Sequence, residues 1–435
     1  MSVSTHTPAQ SPSVPGQPGH RSAPTTQIRS RTRGISLGPL PAANLVILGA
    51  GLGIGIPLIL AGPKAMPFGI AIAAVGLLLG LLRWSGRWFT QWVGLVWQYT
   101  FRSSVRTATW SQQENEADPA DAEDTKVTGG DDARVALLRL ALPDLHIAHA
   151  VDHERRPLGI TYHDGGWTAV LQVEPTPSLI TNVTASAGLP LGALASCLED
   201  RGVVLDEIQV MWHSYPGSTT LSPSSPALAS YLEVLGPLPA TARRTTWVGV
   251  RLDPRRCPAA VRERGGGVVG AHRALIGAVS RVSRALEARG VNTRPLDVNE
   301  LLRAGLTAAE LTGAPTATDK VSARERWAGV TAAGVGHSTY TITNWPSRGI
   351  EYNLNALTGV RALSTTVAMS ISHGAEENTV GLRGLLRVSA RTPSELTGAD
   401  QRLKLISKKL GITLTPLSGQ QFSGLAATLP LGGNA

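Results

Sequence analysis

Acidic residues are missing from the first 113 positions of this 435-residue chain. Nine of the 40 basic residues lie in that stretch. The other 31 basic residues come later and equal in number the chain's 31 acidic residues, all of which also come later. The net charge of +9 therefore belongs to the N-terminal quarter alone. A neutral remainder argues against a phosphate-binding face for nucleic acid, and we expect no nucleic-acid partner.

Cysteines and motifs of known chemistry are also scarce. The two cysteines, Cys197 and Cys257, are too few for a disulfide framework and suit a reducing compartment. The chain has no Gly-Lys pair, which excludes a P-loop, and no Asp-x-Asp motif of the kind that would hold a glycosyltransferase metal. We therefore predict a protein that is not an enzyme, with no catalytic residue, no cofactor and no metal.

Two apolar runs stand out near the N-terminus. Residues 42–62 carry no charge over 21 positions, and as a helix they would measure about 31 Å, close to the hydrocarbon thickness of a bilayer. Residues 65–82 would measure about 27 Å by the same rise per residue. Only Pro63 and Lys64 separate the two runs, so we predict a transmembrane hairpin.

The first run contains four closely spaced glycines that resemble a dinucleotide-binding turn. Gly49 and Gly51 fit the G-x-G-x-x-G pattern, but Ile54 occupies the third glycine position and no acid follows until Glu114. Glycines inside a membrane helix more often let a neighbouring helix approach closely. We therefore predict that Gly49, Gly51, Gly53 and Gly55 serve helix packing.

Basic residues around the hairpin predict its topology. Four arginines precede the first run, four follow the second, and the connecting turn has one lysine. The positive-inside rule then places both termini in the cytoplasm. We expect a two-pass protein of the inner (plasma) membrane.

A segment rich in tryptophan and arginine, RWSGRWFTQWVGLVWQYTFR, follows the hairpin at residues 83–102. Three tryptophans recur every four residues, so a helix would place them on one face. Such a segment is typical of a membrane-interface belt in contact with the lipid bilayer, and it could also pack on a partner's membrane helices. The predicted membrane-interface or partner contacts are Arg83, Trp84, Arg87, Trp88, Trp92 and Trp97.

Composition divides the chain into four segments. Residues 1–41 are rich in Pro and Ser and predict a disordered tail. Residues 42–106 hold the hairpin and the interfacial segment. Residues 107–132 predict a linker, because eight acids and one lysine fall between Glu114 and Asp132. Residues 133–435 predict a cytoplasmic domain.

Strand and helix patterns alternate along the last segment. Residues 158–173 predict a β-hairpin, and residues 258–289 predict a long helix with a break at Gly265–Gly267. Thr392 is a suitable cap for a helix over residues 393–410. The mixture predicts an α/β or α+β fold with a mostly antiparallel or mixed sheet.

One histidine cluster is the best metal candidate. His146, His149 and His153, with Asp144 and Asp152 nearby, would share one face of a helix. No helix is assured after a proline at 143, and surface histidines are common. We therefore interpret the cluster as ordinary surface residues.

The order of these elements resembles EccE, the membrane component of actinobacterial type VII (ESX) secretion systems. The resemblance covers residues 41–433 and rests on the early hairpin and on four strings. These strings are RWSGRWFTQW, GITYHDGGWTAVLQVEP, TTWVGVRLDPRRCPAAVRERGG and RTPSELTGADQRLKLISKKLGITLTPLSGQQFSGLAATLPLGG. None is a catalytic signature, so the resemblance is one of architecture.

The resemblance implies a role that the residues alone do not supply. EccE-like proteins lie at the periphery of an inner-membrane complex with EccB, EccC and EccD, face the cytoplasm, and leave the ATPase to EccC. Their domain has been likened to a glycosyltransferase-type fold without transferase chemistry. We expect a non-catalytic structural subunit with EccB-, EccC- and EccD-like partners. Two alternatives stay open, a membrane-anchored, transferase-like enzyme of envelope-precursor metabolism and an adaptor that recruits proteins through its tail.

Overall fold

The computed structural model describes residues 28–30, 36–37, 40–84, 87–110, 127–128, 132–174, 190–215, 243–314, 320–345, 356–358, 360, 362–374 and 379–433. Most of the predicted tail and most of the predicted acidic linker therefore lie outside the described residues. The longer helices are α1 Ala42–Leu60, α2 Met66–Leu81, α3 Phe89–Phe101, α4 Ala133–Arg139, α5 Leu191–Ala195, α6 Pro258–Glu263, α7 Gly267–Glu287, α8 Val298–Ala308, α9 Pro393–Lys409 and α10 Gln421–Ala426.

Most of the remaining described elements are short strands. In chain order they are β1 Ile28–Ser30, β2 Ser36–Leu37, β3 Leu40–Pro41, β4 Arg83–Trp84, β5 Arg87–Trp88, β6 Val105–Thr109, β7 Val127–Thr128, β8 His146–Val151, β9 Pro157–His163, β10 Gly166–Val173, β11 Glu199–Asp200, β12 Val203–Val204, β13 Glu207–Tyr215, β14 Arg243–Leu252, β15 Thr293–Pro295, β16 Lys320–Arg326, β17 Gly329–Ala332, β18 Val335–Asn344, β19 Ser364–His373, β20 Val380–Ala390 and β21 Thr413–Pro416.

One sheet of 15 strands organises the fold. Its main path runs β6-β16-β17-β18-β20-β19-β13-β14-β10-β9-β8-β7, and every neighbouring pair on this path is antiparallel. Strands β1, β15 and β21 pair off the path with β20, β10 and β18. The predicted mixed α/β class is confirmed, and the sheet is antiparallel along its main path.

Local sequence signals account for the element boundaries. Strands β9 and β10 form the predicted hairpin, and its two turn residues, Asp164 and Gly165, both have positive φ, as a tight turn between twisted strands requires. Helix α6 ends at Glu263 and α7 begins at Gly267, so the predicted helix break is confirmed. Thr392 caps α9 by accepting a hydrogen bond from the Glu395 amide, as predicted.

Helices cover both faces of the sheet. One hydrophobic cluster includes Leu275 of α7 and Leu403 of α9. The other includes Leu301 of α8 and joins α4 and α10 to the opposite face. Adjacent residues of β13 show the division, since Val210 belongs to the first cluster and Met211 to the second.

Helices α1 and α2 form an antiparallel pair at the N-terminal end of the described chain. A Cβ on Gly51 would lie 2.7 Å from the Cα of Gly76, and a Cβ on Gly55 would lie 2.8 Å from the Cβ of Ala73. The predicted packing role is thus confirmed for Gly51 and Gly55, whereas a Cβ at Gly49 or Gly53 would meet no atom within 4 Å. The two backbones approach closely because these contact positions lack side chains.

Within the described residues, one helix is long and apolar enough to cross a membrane, over Ala43–Leu60. Helix α2 is also apolar but shorter, at 16 residues. Many large apolar side chains of both helices are exposed, among them Val46, Leu60 and Phe68. A bilayer would cover such an apolar surface, whereas exposing it to water is unfavourable.

Candidate functional site

Side-chain contacts join the chain to the helix pair and to the sheet domain where it leaves the helix pair. The Asn44 amide of α1 is fully buried and donates a hydrogen bond from Nδ2 to the carbonyl of Gly80 at 2.7 Å. Its Oδ1 accepts a hydrogen bond from the Thr90 hydroxyl of α3. A buried side-chain amide needs such partners, because leaving them unpaired costs about 1–3 kcal/mol. Asn44 therefore joins the first three helices at one point.

One face of α3 is bound to the sheet domain. Trp92 stacks on Trp327 with ring centroids 5.6 Å apart, and Tyr99 meets the same ring edge-on at 5.3 Å. Leu95, which lies between Trp92 and Tyr99 along the helix, is also buried. The spacing of these three residues along α3 is that of a single helix face. Trp327, in the turn after β16, is therefore the main contact of the domain with α3.

The other face of α3 is apolar and exposed. Trp97 is 67% exposed and Phe101 is 71% exposed, and their rings lie 4.5 Å apart. Val93 and Val96 extend the same exposed surface toward the N-terminus of the helix. We call these four residues the outer face of α3. An apolar stripe of this kind suits a membrane boundary or a partner helix.

An ion pair fixes the chain just beyond α3. Arg102 pairs with Glu325 of β16, whose side chain is 1% exposed. The second carboxylate oxygen of Glu325 accepts a hydrogen bond from the Phe422 amide at 2.9 Å, and the Glu325 amide donates to the Ser104 carbonyl at 2.7 Å. A buried carboxylate is tolerated when it is paired in this way. Glu325 thus ties the exit of α3 to β16 and α10.

Arg106 continues the connection on β6. Its Nη1 donates to the carbonyls of Leu140 and Ala141, both at 3.1 Å, and its guanidinium lies 4.1 Å from the ring centre of Phe422. Burial lowers the pKa of Arg106, and the nearby Arg102 acts in the same direction. Residues 105–109 therefore form an edge strand of the sheet at the border of the segment predicted as a linker.

The predicted interface residues have different positions in the structure. Arg83 and Trp84 form β4, and Arg87 and Trp88 form β5, which pairs with it. Because α3 begins only at Phe89, the three tryptophans expected every four residues do not share one helix. Trp92 faces the domain and Trp97 belongs to the outer face of α3.

Sequence reasoning missed the domain side of this site. Trp327 and Glu325 lie more than 200 positions after α3, and neither belongs to a recognised motif. One signal was available, because β16 alternates exposed and buried residues and Glu325 occupies a buried position beside Val321 and Ala323. A charged residue among apolar ones on the buried side of a strand indicates a buried partner.

Within the described residues, the histidine cluster considered as a metal candidate does not form a metal centre. His146 and His149 lie on strand β8 and not on a helix, and His153 follows it. Among the residues that the structure describes, no group of three or more His, Cys, Asp or Glu side chains is placed to hold a metal ion. The string GISLG at residues 34–38 matches the Gly-x-Ser-x-Gly pattern, but Ser36 lies on β2, which leads into another strand rather than a helix.

The fold and the site together define a mixed α/β protein that has an N-terminal apolar helix pair and binds the next helix onto its sheet. Residues 240–342 match the family model described as type VII ESX secretion system translocon, EccE. The matched region runs from β14 to β18 and includes Glu325 and Trp327. It therefore covers the surface that receives α3.

Two curated relatives agree with the family model. The chain is 27% identical over 165 residues to the ESX-5 secretion system protein EccE5 of Mycobacterium marinum. This match covers 35% of this chain and 40% of the relative. It is 25% identical over 229 residues to the ESX-1 secretion system protein EccE1 of Mycobacterium tuberculosis, which covers 52% of this chain and 42% of the relative. The predicted resemblance is confirmed, since the chain is similar both to the EccE family model and to these curated EccE proteins.

The extent of these matches is limited. The matched regions span about two fifths of the length of the two curated relatives, at 40% and 42%. Among solved structures, an alkyldihydroxyacetonephosphate synthase covers 58% of this chain and 41% of its own, with 10% identity and a TM-score of 0.26. A similarity at that level is too low to indicate a shared fold.

Proposed function

We propose that this chain is a non-catalytic structural subunit of a type VII ESX secretion complex in the inner membrane. The observation that carries the proposal is the fastening of α3 to the sheet domain through Trp327 and Glu325. The chain joins an apolar helix pair to a large domain through a connection with its own packing and ion pair. Such a connection fixes the position of the domain relative to the helix pair, as a structural subunit of an assembly requires.

The two faces of α3 have different roles. Its inner face, with Trp92 and Tyr99, holds the domain, while its outer face, with Trp97 and Phe101, meets the membrane helices of a partner. Docking of the helix pair would then fix how the domain is presented to neighbouring subunits. The partners are EccB-, EccC- and EccD-like proteins, and an EccC-like subunit supplies the ATPase.

The topology follows from the charge distribution. Both α1 and α2 span the membrane, and both termini and the sheet domain lie in the cytoplasm. Helix α2 is short enough that little tilt would be allowed. The glycosyltransferase-type fold implied by the family resemblance stays a prediction. The transferase-like enzyme is the alternative function, and it would need a ligand-binding cleft in the sheet domain.

The test is to purify the tagged full chain from its native membrane in mild detergent and to identify co-purifying proteins by mass spectrometry. We expect EccB-, EccC- and EccD-like proteins with the wild type, and about thirtyfold weaker binding or more with Trp97→Ala/Phe101→Ala, since buried aromatic anchors contribute roughly 1–2 kcal/mol each at interfaces. Membrane insertion should be unchanged, because the helix pair is intact.

Leu405→Ala is the matched control for this test. Leu405 is 64% exposed on α9, so the substitution removes an exposed apolar side chain away from α3. Recovery of partners should match the wild type. Full recovery with the α3 double variant would assign its outer face to lipid alone. A chain that purifies without secretion subunits under cross-linking would contradict the structural role.

A further inference from the structure

A basic groove runs along the outer face of the sheet edge formed by β6, β16 and β17. The residues of β16 alternate, so Val321, Ala323 and Glu325 point into the domain while the positions between them are exposed. The groove has a volume of about 510 Å³. Its lining residues are Lys320, Val321, Ser322, Arg324, Arg326, Thr331, Ala333 and Gly334.

Among the described residues, the charged side chains that line this groove are all basic. Three of its eight lining residues are basic, and the lining set includes no acid. Within the described part of the chain, Arg324 and Arg326 form no ion pair, and the carboxylate of Glu325 between them binds Arg102 on the opposite side of the strand. Two guanidinium groups two residues apart on one strand face lie side by side and can bind a phosphate together.

The groove lies next to the membrane exit. Arg324 pairs in register with Val105, four residues after the end of α3. Arg326 directly precedes Trp327, which stacks on Trp92 in the first turn of α3. The guanidinium groups of β16 are thus held close to a helix whose outer face is apolar and whose N-terminal end is tied to Asn44.

We propose that this groove binds the phosphate headgroup of an anionic phospholipid, with Arg324 and Arg326 as the phosphate ligands. A phosphate offers the acceptor geometry that paired guanidinium groups fit best. Arginines near an anionic leaflet contribute about 1 kcal/mol each to membrane binding, and the nearby helix pair holds the groove at that surface. The headgroup would orient the whole domain against the leaflet.

This proposal goes beyond the secretion role and does not depend on it, because lipid binding is measured on the purified chain alone. Free phosphate has the same chemistry but lacks the acyl chains that hold a phospholipid in the bilayer around the helix pair. The acidic segment before Asp132 is another possible occupant from the same chain, and its charge would compete with lipid. The experiment distinguishes these three sources.

The experiment is native mass spectrometry of the full-length chain in detergent, titrated with phosphatidylglycerol or phosphatidylcholine. We expect bound phosphatidylglycerol at concentrations at which phosphatidylcholine does not bind. Arg324→Gln/Arg326→Gln should weaken phosphatidylglycerol binding about tenfold to thirtyfold, which is the loss of two basic residues at an anionic surface. Inorganic phosphate at millimolar concentration should not displace the lipid.

Arg262→Gln/Arg289→Gln is the matched control, since it removes two exposed arginines, one on α6 and one just after α7, that do not line the groove. It should bind phosphatidylglycerol as the wild type does. Equal loss in both double variants, equal binding of the two lipids, or displacement by inorganic phosphate would each overturn the proposal. A groove occupied by the acidic segment would show as phosphatidylglycerol binding that appears only when residues 114–126 are made neutral, and this outcome would overturn it too.

Discussion

Charged and polar side chains are buried together on the face of the sheet that α8 covers. His213 Nδ1 lies 2.8 Å from the Thr366 hydroxyl, and its Nε2 lies 3.6 Å from a carboxylate oxygen of Glu310. Arg387 is fully buried and donates to the carbonyl of Ala308, the last residue of α8. A cation at a helix C-terminus satisfies an unpaired carbonyl and complements the helix dipole. This cluster therefore holds α8 on the sheet.

Acidification should destabilise the chain through His213. Burial, and then the charge of Arg387, lower the pKa of His213 to about 3. The folded state thus binds fewer protons than the unfolded state below the ordinary histidine pKa of about 6.5, so stability is lost as the pH falls through that value. Between pH 7 and pH 5 the loss from this residue should be about 2 kcal/mol. Urea unfolding of the full chain in detergent would measure it.

His213→Asn should be less stable at pH 7 but lose less stability on acidification. Glu310 acts in the opposite direction, because burial raises its pKa, and it is present in both proteins. The control is His146→Asn, which removes an exposed histidine from β8. If wild type and His213→Asn show the same dependence on pH, protonation of His213 does not limit stability.

Residue identities could be predicted at the membrane exit, but side-chain directions could not. Trp92 and Trp97 were both expected at an interface, yet one packs on the domain and the other is exposed. A helical pattern gives the angle between two residues of one helix, but it does not show which of them meets a partner 235 positions away. The long-range partner Trp327 decides it.

At the scale of elements, the pairing of α1 and α2 depends on close contacts at glycines of both helices. Gly51→Ala should separate the helices, because its new Cβ would lie 2.7 Å from the Gly76 Cα, a backbone atom that cannot rotate away. We expect a loss of about 1–3 kcal/mol in the free energy of unfolding, typical of an overpacked contact. Titration with sodium dodecyl sulphate, followed by circular dichroism, would measure it.

Gly53→Ala is the matched control within the same helix. A Cβ there would meet no atom within 4 Å, so the pair should keep its stability or gain slightly from the better helix former. Equal destabilisation by the two substitutions would mean that helix flexibility, and not the contact with Gly76, is what the glycines provide.

Elements with local signals were predicted well, and those without were not. The capped helix α9 and the β9–β10 hairpin have boundary residues that fix them locally. Helix α3 begins later than the tryptophan spacing indicated, because β4 and β5 first pair with each other and Arg83 lies opposite Trp88. Two-residue strands leave no pattern that a sequence can reveal.

At the scale of the molecule, the order of the strands could not be predicted. The main path begins at β6 and reaches β16 next, so its first pair joins residues more than 200 positions apart. Alternation within each strand predicts a sheet but does not predict which strands are neighbours. The same long-range pair is what joins the membrane exit to the domain.

This arrangement predicts that the sheet edge and α3 open together. Trp327→Ala removes the ring on which Trp92 and Tyr99 pack, and it should cost roughly 2 kcal/mol at this half-buried contact. Amides of β6, β16 and β17 should then exchange about thirtyfold faster in hydrogen–deuterium exchange, because local opening of that edge becomes easier. Amides of β8 and β9, at the far end of the path, should not change.

Trp97→Ala separates this coupling from a general effect of losing a tryptophan. It truncates an aromatic side chain of the same helix, but on the face that does not contact the domain, so exchange at β16 should match the wild type. Faster exchange across the whole sheet in Trp327→Ala would mean that the domain unfolds as one unit. Faster exchange confined to β6, β16 and β17 would mean that α3 and the sheet edge form a cooperative unit of their own. A displacement of the helix pair would then act on the domain through this unit.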